Sequence, residues 1–382
     1  MPGAEAQRHG DRVRDRIADE IAGAGGWISF ARFMELALYA PGLGYYVAGA
    51  AKLGEDGDFV TAPELSPLFG ETLAGQVAQG LAAPGDEVLE LGAGSGRMAA
   101  QILLELQAQD RLPARYRILE ISPELAQRQR DLLTRLCPAL VERVAWIDAL
   151  PDRFEGVILA NEVLDALPVH LVHWTPDGIL ERGVALREGA FAWENRRLSR
   201  GALHDAARAL PVAPPYLSEI PLASRALVGA LADCLQRGFV LFVDYGFGRR
   251  EYYHPQRAQG TLMCHYRHRA HGDPFFLPGL QDITAHVDFT AVAEAGIDAG
   301  LALLGYATQA RFLVNAGVLQ RLERRGPANP AAGDLSYLPA AAGAQKLLSP
   351  AEMGELFKVM ALGRGDIAAP TGFAGGDLSR TL

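Results

Sequence analysis

The sequence predicts an α/β fold in which a Rossmann-like, doubly wound and mostly parallel sheet follows a helical segment and carries an inserted subdomain. The first observation is that short apolar runs alternate with helical stretches between Glu87 and Asn161, a pattern typical of βαβ units. Such units form a parallel sheet that is covered by helices on both faces. The second observation is a glycine-rich turn at residues 92–96, which joins the first of these runs to a helix.

The predicted sheet is built from strands and helices that alternate along the chain. Strands are predicted at the apolar runs VLEL, YRILEI, VAWI and GVILAN, and the helices between them cover residues 97–108 and 123–136. Residues 169–193 predict antiparallel strands, because turn-forming residues interrupt them at Pro176-Asp177-Gly178 and Glu188-Gly189. The apolar runs FVLFVDYG and FKVMALG predict further strands of the core.

Length and composition exclude several classes of protein. The chain has 382 residues, enough for one large domain with insertions or for two domains. Hydrophobic residues make up 49% and charged residues 21%, which excludes disorder, collagen-like repeats and coiled coil as the main architecture. The formal net charge of −9 makes the chain a poor general partner for nucleic acid or for an anionic membrane surface.

The compartment is predicted from the cysteines and from the pattern of apolar residues. Three cysteines far apart argue against a disulfide framework and suit a reducing compartment. The first residues carry acids throughout and lack the apolar stretch of a signal peptide. Because no run of 18 apolar residues occurs, we expect a soluble, cytoplasmic protein without membrane insertion.

The glycine-rich turn predicts a ligand at the start of a helix. Gly92, Gly94 and Gly96 allow positive φ angles and close approach of a ligand to the backbone. A dinucleotide fingerprint would place its third glycine at the position of Arg97. Glu90 adds a carboxylate, which repels a pyrophosphate and suits the ammonium and sulfonium of S-adenosylmethionine. A dinucleotide and a purely structural turn remain alternatives.

Polar residues at the ends of the next strands fit the same ligand. Glu120 ends the second strand, where a carboxylate can accept hydrogen bonds from both ribose hydroxyls. Asp148 follows the third strand, at the height expected for an adenine amino group, and Asn161 ends the fourth. Taken alone, Glu120 and Asp148 would each be interpreted as a solvated acid at a strand end.

The chain resembles a known family over roughly residues 25–320. The E-x-G-x-G-x-G pattern resembles the first motif of class I S-adenosylmethionine-dependent methyltransferases. Longer segments resemble the MidA-like family, whose mitochondrial members are complex I assembly methyltransferases that act on protein arginine. These segments are ISFARFMELALYAPGLGYY, GDFVTAPELSPLFGE, LELGAGSGR, ANEVLDALPVH, VDYGF and GTLMCHYRHRAHGDPFFLPGLQDITAHVDF.

The resemblance implies a cofactor, a partner and further site residues. The cofactor is S-adenosyl-L-methionine, and the implied activity is protein arginine N-methylation. The implied partner is a protein that presents an arginine, with a respiratory complex I subunit as one candidate and a homodimer as one candidate assembly. In this family the segment GDFVTAPE helps to close the cofactor pocket, which implies roles for Thr61 and Pro63.

The same resemblance divides the chain into two parts. Residues 1–80 are expected to form an N-terminal helical segment that closes the cofactor pocket, and residues 81–382 the class I methyltransferase core. Insertions on the substrate side are expected at about 176–235 and 249–288. Residues 326–345, rich in alanine, glycine and proline, are expected to form a surface excursion.

Three carboxylates are candidates for holding an arginine acceptor. Glu162 and Asp165 follow the fourth strand at a spacing of three residues, which puts them on one side of a turn. Paired carboxylates can bind a guanidinium bidentately and leave one nitrogen aimed at the methyl group. Asp288 is a third candidate from the opposite wall, and it is equally placed to cap the helix that follows it.

Other interpretations stay open at this level. His265, His268 and His271 suggest a metal, but the flanking arginines disfavour a cation and no zinc-finger spacing accompanies them, so we expect no metal site. This basic, aromatic loop is expected to contact substrate or cofactor, or to be solvated. The alternatives to arginine methylation are methylation of a small molecule or nucleic acid on the same fold, and a non-catalytic assembly chaperone that binds S-adenosylmethionine.

Overall fold

The computed structural model describes residues 3–48, 61–325 and 337–382. The first four residues of the segment GDFVTAPE, Gly57 to Val60, lie outside the described residues. So does the first part of the predicted excursion, residues 326–336.

Strands occur along almost the whole of the described chain. In chain order they are β1 (Trp27–Ser29), β2 (Glu87–Leu91), β3 (Tyr116–Leu119), β4 (Val144–Ile147), β5 (Phe154–Asn161), β6 (His170–Thr175), β7 (Gly178–Arg187), β8 (Ala190–Arg197), β9 (Tyr216–Ile220), β10 (Leu235–Phe247), β11 (Met263–Tyr266), β12 (Arg269–His271), β13 (Asp282–Thr284), β14 (Val287–Asp288), β15 (Ala302–Thr308) and β16 (Phe357–Arg364).

Helices precede, connect and follow these strands. In the same ranges the α-helices are α1 (Ala4–Gly23), α2 (Phe30–Tyr39), α3 (Ala62–Leu65), α4 (Pro67–Gly80), α5 (Arg97–Ala108), α6 (Pro123–Leu136), α7 (Ala202–Ala209), α8 (Leu222–Cys234), α9 (Arg249–Tyr252), α10 (Phe289–Asp298), α11 (Gln309–Asn315), α12 (Val318–Arg325), α13 (Leu338–Leu348) and α14 (Met353–Leu356). None of the helices in the described part of the chain is both long and apolar enough to cross a membrane.

The central sheet has the order β15-β16-β10-β5-β2-β3-β4, with β14 paired to the end of β10. The strands β10, β5, β2, β3 and β4 run parallel, and β16 runs antiparallel to both of its neighbours. This confirms the predicted doubly wound, mostly parallel sheet. The carboxyl ends of β2, β3 and β5 therefore meet at one edge, where open α/β sheets bind their ligands.

Helices cover both faces of this sheet. Val157 and Ile158 are neighbours on β5, and they enter different apolar clusters because successive side chains of a strand point to opposite faces. The cluster around Val157 includes Val77 of α4 and Ile102 of α5, whereas the cluster around Ile158 includes Val228 of α8. Each of these fully buried side chains stabilises the fold by about 1.5–3 kcal/mol.

The helices begin where capping residues satisfy their first amides. The hydroxyl of Ser66 accepts a hydrogen bond from the amide of Leu68, and Pro67 occupies the first position of α4. Ser122 and Pro123 begin α6 in the same way, with the hydroxyl accepting from the amide of Leu125. Ser66 and Ser122 therefore fix the residues at which α4 and α6 begin.

A second, antiparallel sheet is formed by the N-terminal segment together with the chain after β5. Its order is β1-β7-β6-β9, with β8 paired to β7, so a strand from the N-terminal segment joins strands that follow β5. The insertion therefore spans β6 to β9, residues 170–220, rather than the expected 176–235. Residues 222–234 form α8, which returns to the central sheet because Val228 and Leu231 pack against it.

The N-terminal segment is split between the two sheets. Phe33 of α2 is buried in a cluster with Val184 of the antiparallel sheet, whereas Leu73 of α4 is buried in the main core. A three-stranded sheet, β12-β11-β13, fills most of the predicted second insertion. The prediction of a surface excursion is wrong for residues 338–345, because they belong to α13, whose Ala344 is buried in the main core.

Candidate active site

A cavity of about 310 Å³ lies at the carboxyl ends of β2, β3 and β5. One end is formed by the glycine turn and the residues that follow β3. The other end is formed by the residues that follow β5, together with Tyr39 and Tyr46 from the N-terminal segment. Residues that pack on each of the two sheets therefore close the cavity together.

The glycine turn has the backbone conformation that the spacing predicts. Gly92, Gly94 and Gly96 have φ angles of 58°, 55° and 84°, in the left-handed region that residues with a Cβ atom rarely adopt. The first two line the cavity, and Gly96 precedes the first residue of α5. The amino end of α5 and the bare backbone of the turn therefore face the cavity.

Glu64 of α3 fastens the N-terminal segment to this turn. Its carboxylate accepts a hydrogen bond from the hydroxyl of Ser95, and it accepts a second one from Nε of Arg97 at 2.7 Å. The side chain of Glu64 is 12% exposed and lines the cavity. Sequence reasoning missed this contact, although Glu64 lies inside the segment that was expected to close the pocket.

The segment next to Glu64 supplies the two residues that the resemblance implied. Thr61 and Pro63 both line the cavity. The carbonyl of Pro63 accepts a hydrogen bond from Nε2 of Gln101 at 2.9 Å, which ties α3 to α5. The structure therefore places both residues at the expected wall.

Glu90 is a buried carboxyl directly beneath the glycine turn. The hydroxyl of Tyr116 donates a hydrogen bond to its Oε2 at 2.6 Å. Burial raises the pKa of Glu90 to about 7, and the hydrogen bond from Tyr116 opposes that rise. A cationic ligand at the turn would favour the ionised carboxylate, so this position fits S-adenosylmethionine better than a pyrophosphate.

Glu120 lies one residue past the end of β3 and is held in a fixed orientation. Its Oε1 accepts from the amide of Ser122 at 2.9 Å, and its Oε2 accepts from Nε2 of Gln129 at 2.9 Å. Nε2 of Gln129 also donates to the carbonyl of Gly94 at 3.0 Å, and therefore links the acid to the glycine turn. Gln129 was not predicted, because it lies in the middle of α6, far from any motif.

The structure does not bring Asp148 into the cavity. Asp148 lines a separate surface depression together with Glu120 and Trp146. The role of Asp148 in cofactor binding therefore stays a prediction. Its position directly after β4 also fits a solvated acid at a strand end.

Glu162 lies at the other end of the cavity in a strained backbone conformation. Its φ angle of 53° is rare for a residue with a Cβ atom. Its amide donates to the carbonyl of Val243 at 2.8 Å, and its Oε1 accepts from Nδ2 of Asn161 at 3.2 Å. Burial, helped by the charge of Asp165, raises the pKa of Glu162 to about 8. Asn161 and Glu162 both line the cavity, as the sequence predicts.

Asp165 and Asp244 form a buried pair behind Glu162. Oδ2 of Asp244 accepts hydrogen bonds from the amides of Leu164 at 2.9 Å and Asp165 at 3.3 Å. Burial raises the pKa of Asp165 to about 6, and a hydrogen bond from Tyr245 opposes that rise. Burial, with the charges of Asp165 and Glu162, also raises the pKa of Asp244. Asp244 is the one charged residue of the predicted strand FVLFVDYG, a signal that could have identified it.

A fourth carboxyl, Asp282, approaches from the three-stranded sheet. Its Oδ1 accepts a hydrogen bond from the hydroxyl of Tyr46 at 2.8 Å. The rings of Tyr46 and Tyr39 stack with their centres 5.5 Å apart, and the Tyr39 hydroxyl donates to the carbonyl of Ala166 at 3.0 Å. Both tyrosines line the cavity, so this pair forms an aromatic part of its wall near Glu162.

The structure places Asp288 away from the cavity. It is 2% exposed, and its Oδ1 accepts from the amide of Ala291 at 3.1 Å, so it caps the start of α10. Of the two roles open for this residue, the structure shows the cap. Of the three predicted acceptor carboxylates, Glu162 lines the cavity, and Asp165 is buried close enough for its charge to act on Glu162.

The basic loop with three histidines forms the β11-β12 hairpin. His265 and His271 lie on its two strands, and His268 lies in the turn between them. Within residues 3–48, 61–325 and 337–382, no group of three or more His, Cys, Asp or Glu side chains is arranged to hold a metal ion.

Comparison with known proteins identifies the family. Residues 72–307 match the family model described as S-adenosyl-L-methionine-dependent methyltransferase. The chain belongs to this family. A crystal structure from Burkholderia thailandensis, bound to S-adenosyl-homocysteine, is 51% identical, has a TM-score of 0.95, and matches over 100% of this chain and 99% of its own.

Curated relatives agree with this assignment. The mitochondrial protein arginine methyltransferase NDUFAF7 of Rattus norvegicus is 30% identical, over 88% of this chain and 81% of the relative. The corresponding protein of Homo sapiens is 29% identical, over 88% of this chain and 80% of the relative. The resemblance to the MidA-like family is confirmed, and so are the predicted fold class and cofactor. The protein is an S-adenosylmethionine-dependent methyltransferase.

Proposed function

We propose that this methyltransferase acts on the guanidinium group of an arginine in a protein. The observation that carries the proposal is a group of carboxyls at the end of the cavity opposite the glycine turn. Glu162 is partly buried and lines the cavity, and Asp165 and Asp244 are buried next to it. Within the described ranges, Glu162, Asp165 and Asp244 form no salt bridge. Burying carboxylates together without a cation is unfavourable, and their raised pKa values express that cost.

An arginine acceptor would supply the charge that this end of the cavity lacks. A guanidinium stays protonated at neutral pH, and its planar set of N–H donors matches carboxylate oxygens. Its positive charge would lower the pKa of Glu162 and Asp165 and favour their ionised forms. A neutral hydroxyl or carbon acceptor would leave this cost in place, so the site favours a cationic acceptor.

The residues of the chain then have separate tasks. S-adenosylmethionine supplies an electrophilic methyl group when it is bound. The glycine turn, Glu90 and Glu120 hold the cofactor at one end of the cavity, while Glu162, which lines the other end, binds the guanidinium. Asp165 is buried next to Glu162 and adds negative charge there. One guanidinium nitrogen forms the new N–C bond while the C–S bond breaks and its electron pair goes to sulfur. The proton lost from that nitrogen passes to the ionised carboxylate of Glu162.

The relatives support the choice of acceptor. The proteins of Rattus norvegicus and Homo sapiens carry the name protein arginine methyltransferase. A respiratory complex I subunit is our proposed acceptor protein, which follows from the family resemblance.

The test is methyl transfer from labelled S-adenosylmethionine into proteins of an extract, followed by acid hydrolysis and separation of the labelled amino acids. We expect the label in methylated arginine. Glu162→Gln should keep binding to S-adenosyl-homocysteine within about threefold and lose at least about a hundredfold in transfer, because the amide cannot accept the proton. The control is Glu142→Gln, which changes an exposed glutamate outside the cavity.

Two results would contradict the proposal. Label that disappears after nuclease treatment, or that remains dialysable, would assign the acceptor to nucleic acid or a small molecule. Turnover of Glu162→Gln equal to that of Glu142→Gln would remove Glu162 from the reaction.

A further inference from the structure

Tyr46 presents its ring, rather than its hydroxyl, to the cavity. The residue lines the cavity, and its hydroxyl donates a hydrogen bond to Oδ1 of Asp282 at 2.8 Å. Asp282 is 3% exposed and is not among the residues that line the cavity. The hydroxyl of Tyr46 is therefore turned towards a buried group behind the wall, and the part of Tyr46 that a ligand meets is its ring.

Neighbouring aromatic residues hold this ring in one orientation. Tyr39 stacks on it with the ring centres 5.5 Å apart and 22° between the planes, and Tyr45 packs edge-on at 5.1 Å. The hydroxyl of Tyr39 is bound to the carbonyl of Ala166 at 3.0 Å, so the stacked pair is anchored to the chain that follows β5. Because its own hydroxyl is bound as well, Tyr46 is fixed before a ligand arrives, which lowers the entropy cost of binding.

The ring of Tyr46 lies at the end of the cavity that holds the carboxyls. Burial, with the charges of Asp165 and Asp282, raises the pKa of Glu162. Burial, with the charges of Asp282 and Asp165, also raises the pKa of Tyr46. The same two aspartates therefore act on both residues, and such effects require groups that are close together. Tyr46 and Glu162 thus line the same end of the cavity.

A fixed aromatic ring next to carboxyls is suited to binding a cation. The face of an aromatic ring attracts positive charge, most strongly where water is excluded. The hydrogen bond from Tyr46 to a carboxylate polarises the phenol and adds to this attraction. A guanidinium is planar, weakly hydrated and stacks on aromatic faces, whereas the ammonium of lysine is compact and strongly hydrated. An aromatic ring therefore discriminates between the two cations more strongly than a carboxylate does.

We propose that the ring of Tyr46 packs against the guanidinium that Glu162 binds and thereby selects arginine over lysine as the acceptor. Tyr46 touches the acceptor, whereas Asp282 acts through the hydroxyl of Tyr46 and is a positioning residue. The proposal rests on the proposed function and adds to it the residue that determines its specificity.

The experiment compares variants that keep or remove the ring. Tyr46→Leu removes it, and Tyr46→Phe keeps it without the hydroxyl. Tyr266→Leu is the matched control, because Tyr266 is also partly buried and packs edge-on against another ring, that of Phe276, but does not line the cavity. Labelled methyl transfer into extract proteins is measured with two competitors of equal charge, N-acetylarginine amide and N-acetyllysine amide. Calorimetry measures the binding of S-adenosylmethionine and S-adenosyl-homocysteine.

We expect the arginine amide to inhibit the wild type at least about tenfold more strongly than the lysine amide. Tyr46→Leu should weaken inhibition by the arginine amide about tenfold and inhibition by the lysine amide less than about threefold. Tyr46→Phe should retain most of the preference for arginine, because the ring is still present. All variants should bind S-adenosyl-homocysteine like the wild type, since a change confined to the acceptor end leaves the cofactor end intact.

Two results would overturn the proposal. The first is the same preference for the arginine amide in Tyr46→Leu, Tyr266→Leu and the wild type. The second is a loss of affinity for S-adenosylmethionine in Tyr46→Leu that S-adenosyl-homocysteine does not show. Only S-adenosylmethionine carries the positive sulfonium, so that difference would assign the ring to the cofactor.

The role of Asp282 is tested by combining two changes. Asp282→Asn should weaken inhibition by the arginine amide about threefold in the wild type, because the phenol loses its charged acceptor. In Tyr46→Phe, which has no hydroxyl, the same change should have a smaller effect. Equal effects in both proteins would show that Asp282 does not act through Tyr46.

The outcome for the ring is separable from that for the acceptor, because the amino acid that carries the label is identified independently. Label on arginine with an unchanged preference in Tyr46→Leu would overturn the proposal for Tyr46 alone. Label on another acceptor, with weaker inhibition by the arginine amide in Tyr46→Leu, would overturn the arginine proposal and leave Tyr46 as a residue that binds a cation.

Discussion

Glu162 is held in a conformation and an environment that both cost free energy. Its left-handed backbone costs about 1–3 kcal/mol in a residue with a Cβ atom. Its carboxyl shares a buried region with Asp165 and Asp244, whose charges oppose its ionisation. A strained residue persists at a functional site only when the surrounding structure holds it in place. Here the hydrogen bond from the Glu162 amide to the carbonyl of Val243 on β10 helps to hold the strained backbone.

The raised pKa of Glu162 predicts a pH dependence of stability. The pKa is about 8 in the folded protein and 4.5 in the reference state, so the folded protein binds more protons between these values. The contribution of this group to stability is therefore fully present below about pH 4.5 and is lost as the pH rises towards about 8. We expect Glu162→Gln, which cannot ionise, to be more stable than wild type at pH 8 by on the order of 1–3 kcal/mol, and equally stable at pH 5.

Urea unfolding of both proteins at pH 5 and pH 8, without cofactor, measures this difference. The exposed variant Glu142→Gln should show the wild-type pH dependence. A stability difference between wild type and Glu162→Gln that is the same at both pH values would show that the carboxyl is not titrating as described.

At the scale of elements, the turn after β5 depends on its neighbour in the sheet. Asp244 at the end of β10 accepts from the amides of Leu164 and Asp165, while Val243 accepts from the amide of Glu162. The two strands are adjacent and parallel, so these bonds connect the ends of β5 and β10 directly. Asp244 therefore acts on the reaction through Glu162 and is a positioning residue.

Removal of the Asp244 carboxyl should loosen this turn. Asp244→Ala leaves two buried amides without an acceptor, which costs about 1–3 kcal/mol for each group. We expect transfer to fall at least about tenfold, while affinity for S-adenosyl-homocysteine changes little, because the turn lies at the acceptor end. Asp244→Asn keeps an acceptor oxygen in a neutral side chain and should restore most of the rate. Equal losses in the two variants would argue against a positioning role.

The contact between α3 and the glycine turn predicts an effect on cofactor affinity. Glu64→Ala removes the acceptor of Ser95 and Arg97, so α3 should no longer be held at the cavity. We expect affinity for S-adenosyl-homocysteine to fall about tenfold, which corresponds to about 1.4 kcal/mol, as measured by calorimetry.

The matched control for this prediction is Glu71→Ala. The side chain of Glu71 is 18% exposed and pairs with Arg325, as Glu64 pairs with Arg97. Unlike Glu64, Glu71 does not line the cavity. An equal loss of affinity in both variants would show that the effect comes from general destabilisation.

At the scale of the whole molecule, the cavity is formed where the central sheet meets the antiparallel sheet. Tyr39 and Tyr46 come from the segment that packs on the antiparallel sheet, whereas the glycine turn and Glu162 belong to the central sheet. A ligand that contacts both parts should therefore stabilise the molecule as a unit. At a concentration one hundred times its dissociation constant, it adds about 2.7 kcal/mol to the free energy of unfolding.

Hydrogen exchange tests this joint stabilisation. We expect S-adenosyl-homocysteine to slow amide exchange in residues 90–96, and also in residues 36–46 of the N-terminal segment, because both flank the cavity. Amides of α13, which do not contact the cavity, should change little. Protection confined to residues 90–96 would show that the N-terminal segment does not close over the cofactor.

The sequence predicted the parts of the fold that depend on local chemistry. The helices Arg97–Ala108 and Pro123–Leu136 and the strand Val144–Ile147 have the predicted bounds, because capping residues, proline and apolar periodicity act over a few residues. The glycine turn was predicted for the same reason. The surface excursion was wrongly predicted for residues 338–345, because an alanine-rich stretch takes its structure from what it packs against, here the main core.

The sequence by itself determined the class of fold, the cofactor turn and the two carboxylates that follow the fourth strand. Each of these features depends on residues that are close together in the chain. Only the tertiary structure decided which other groups join them. Leu164 and Asp244 are 80 residues apart in the chain, and Tyr46 and Asp282 are 236 apart. Contacts at such separations depend on how the two sheets pack, and no local pattern specifies that packing.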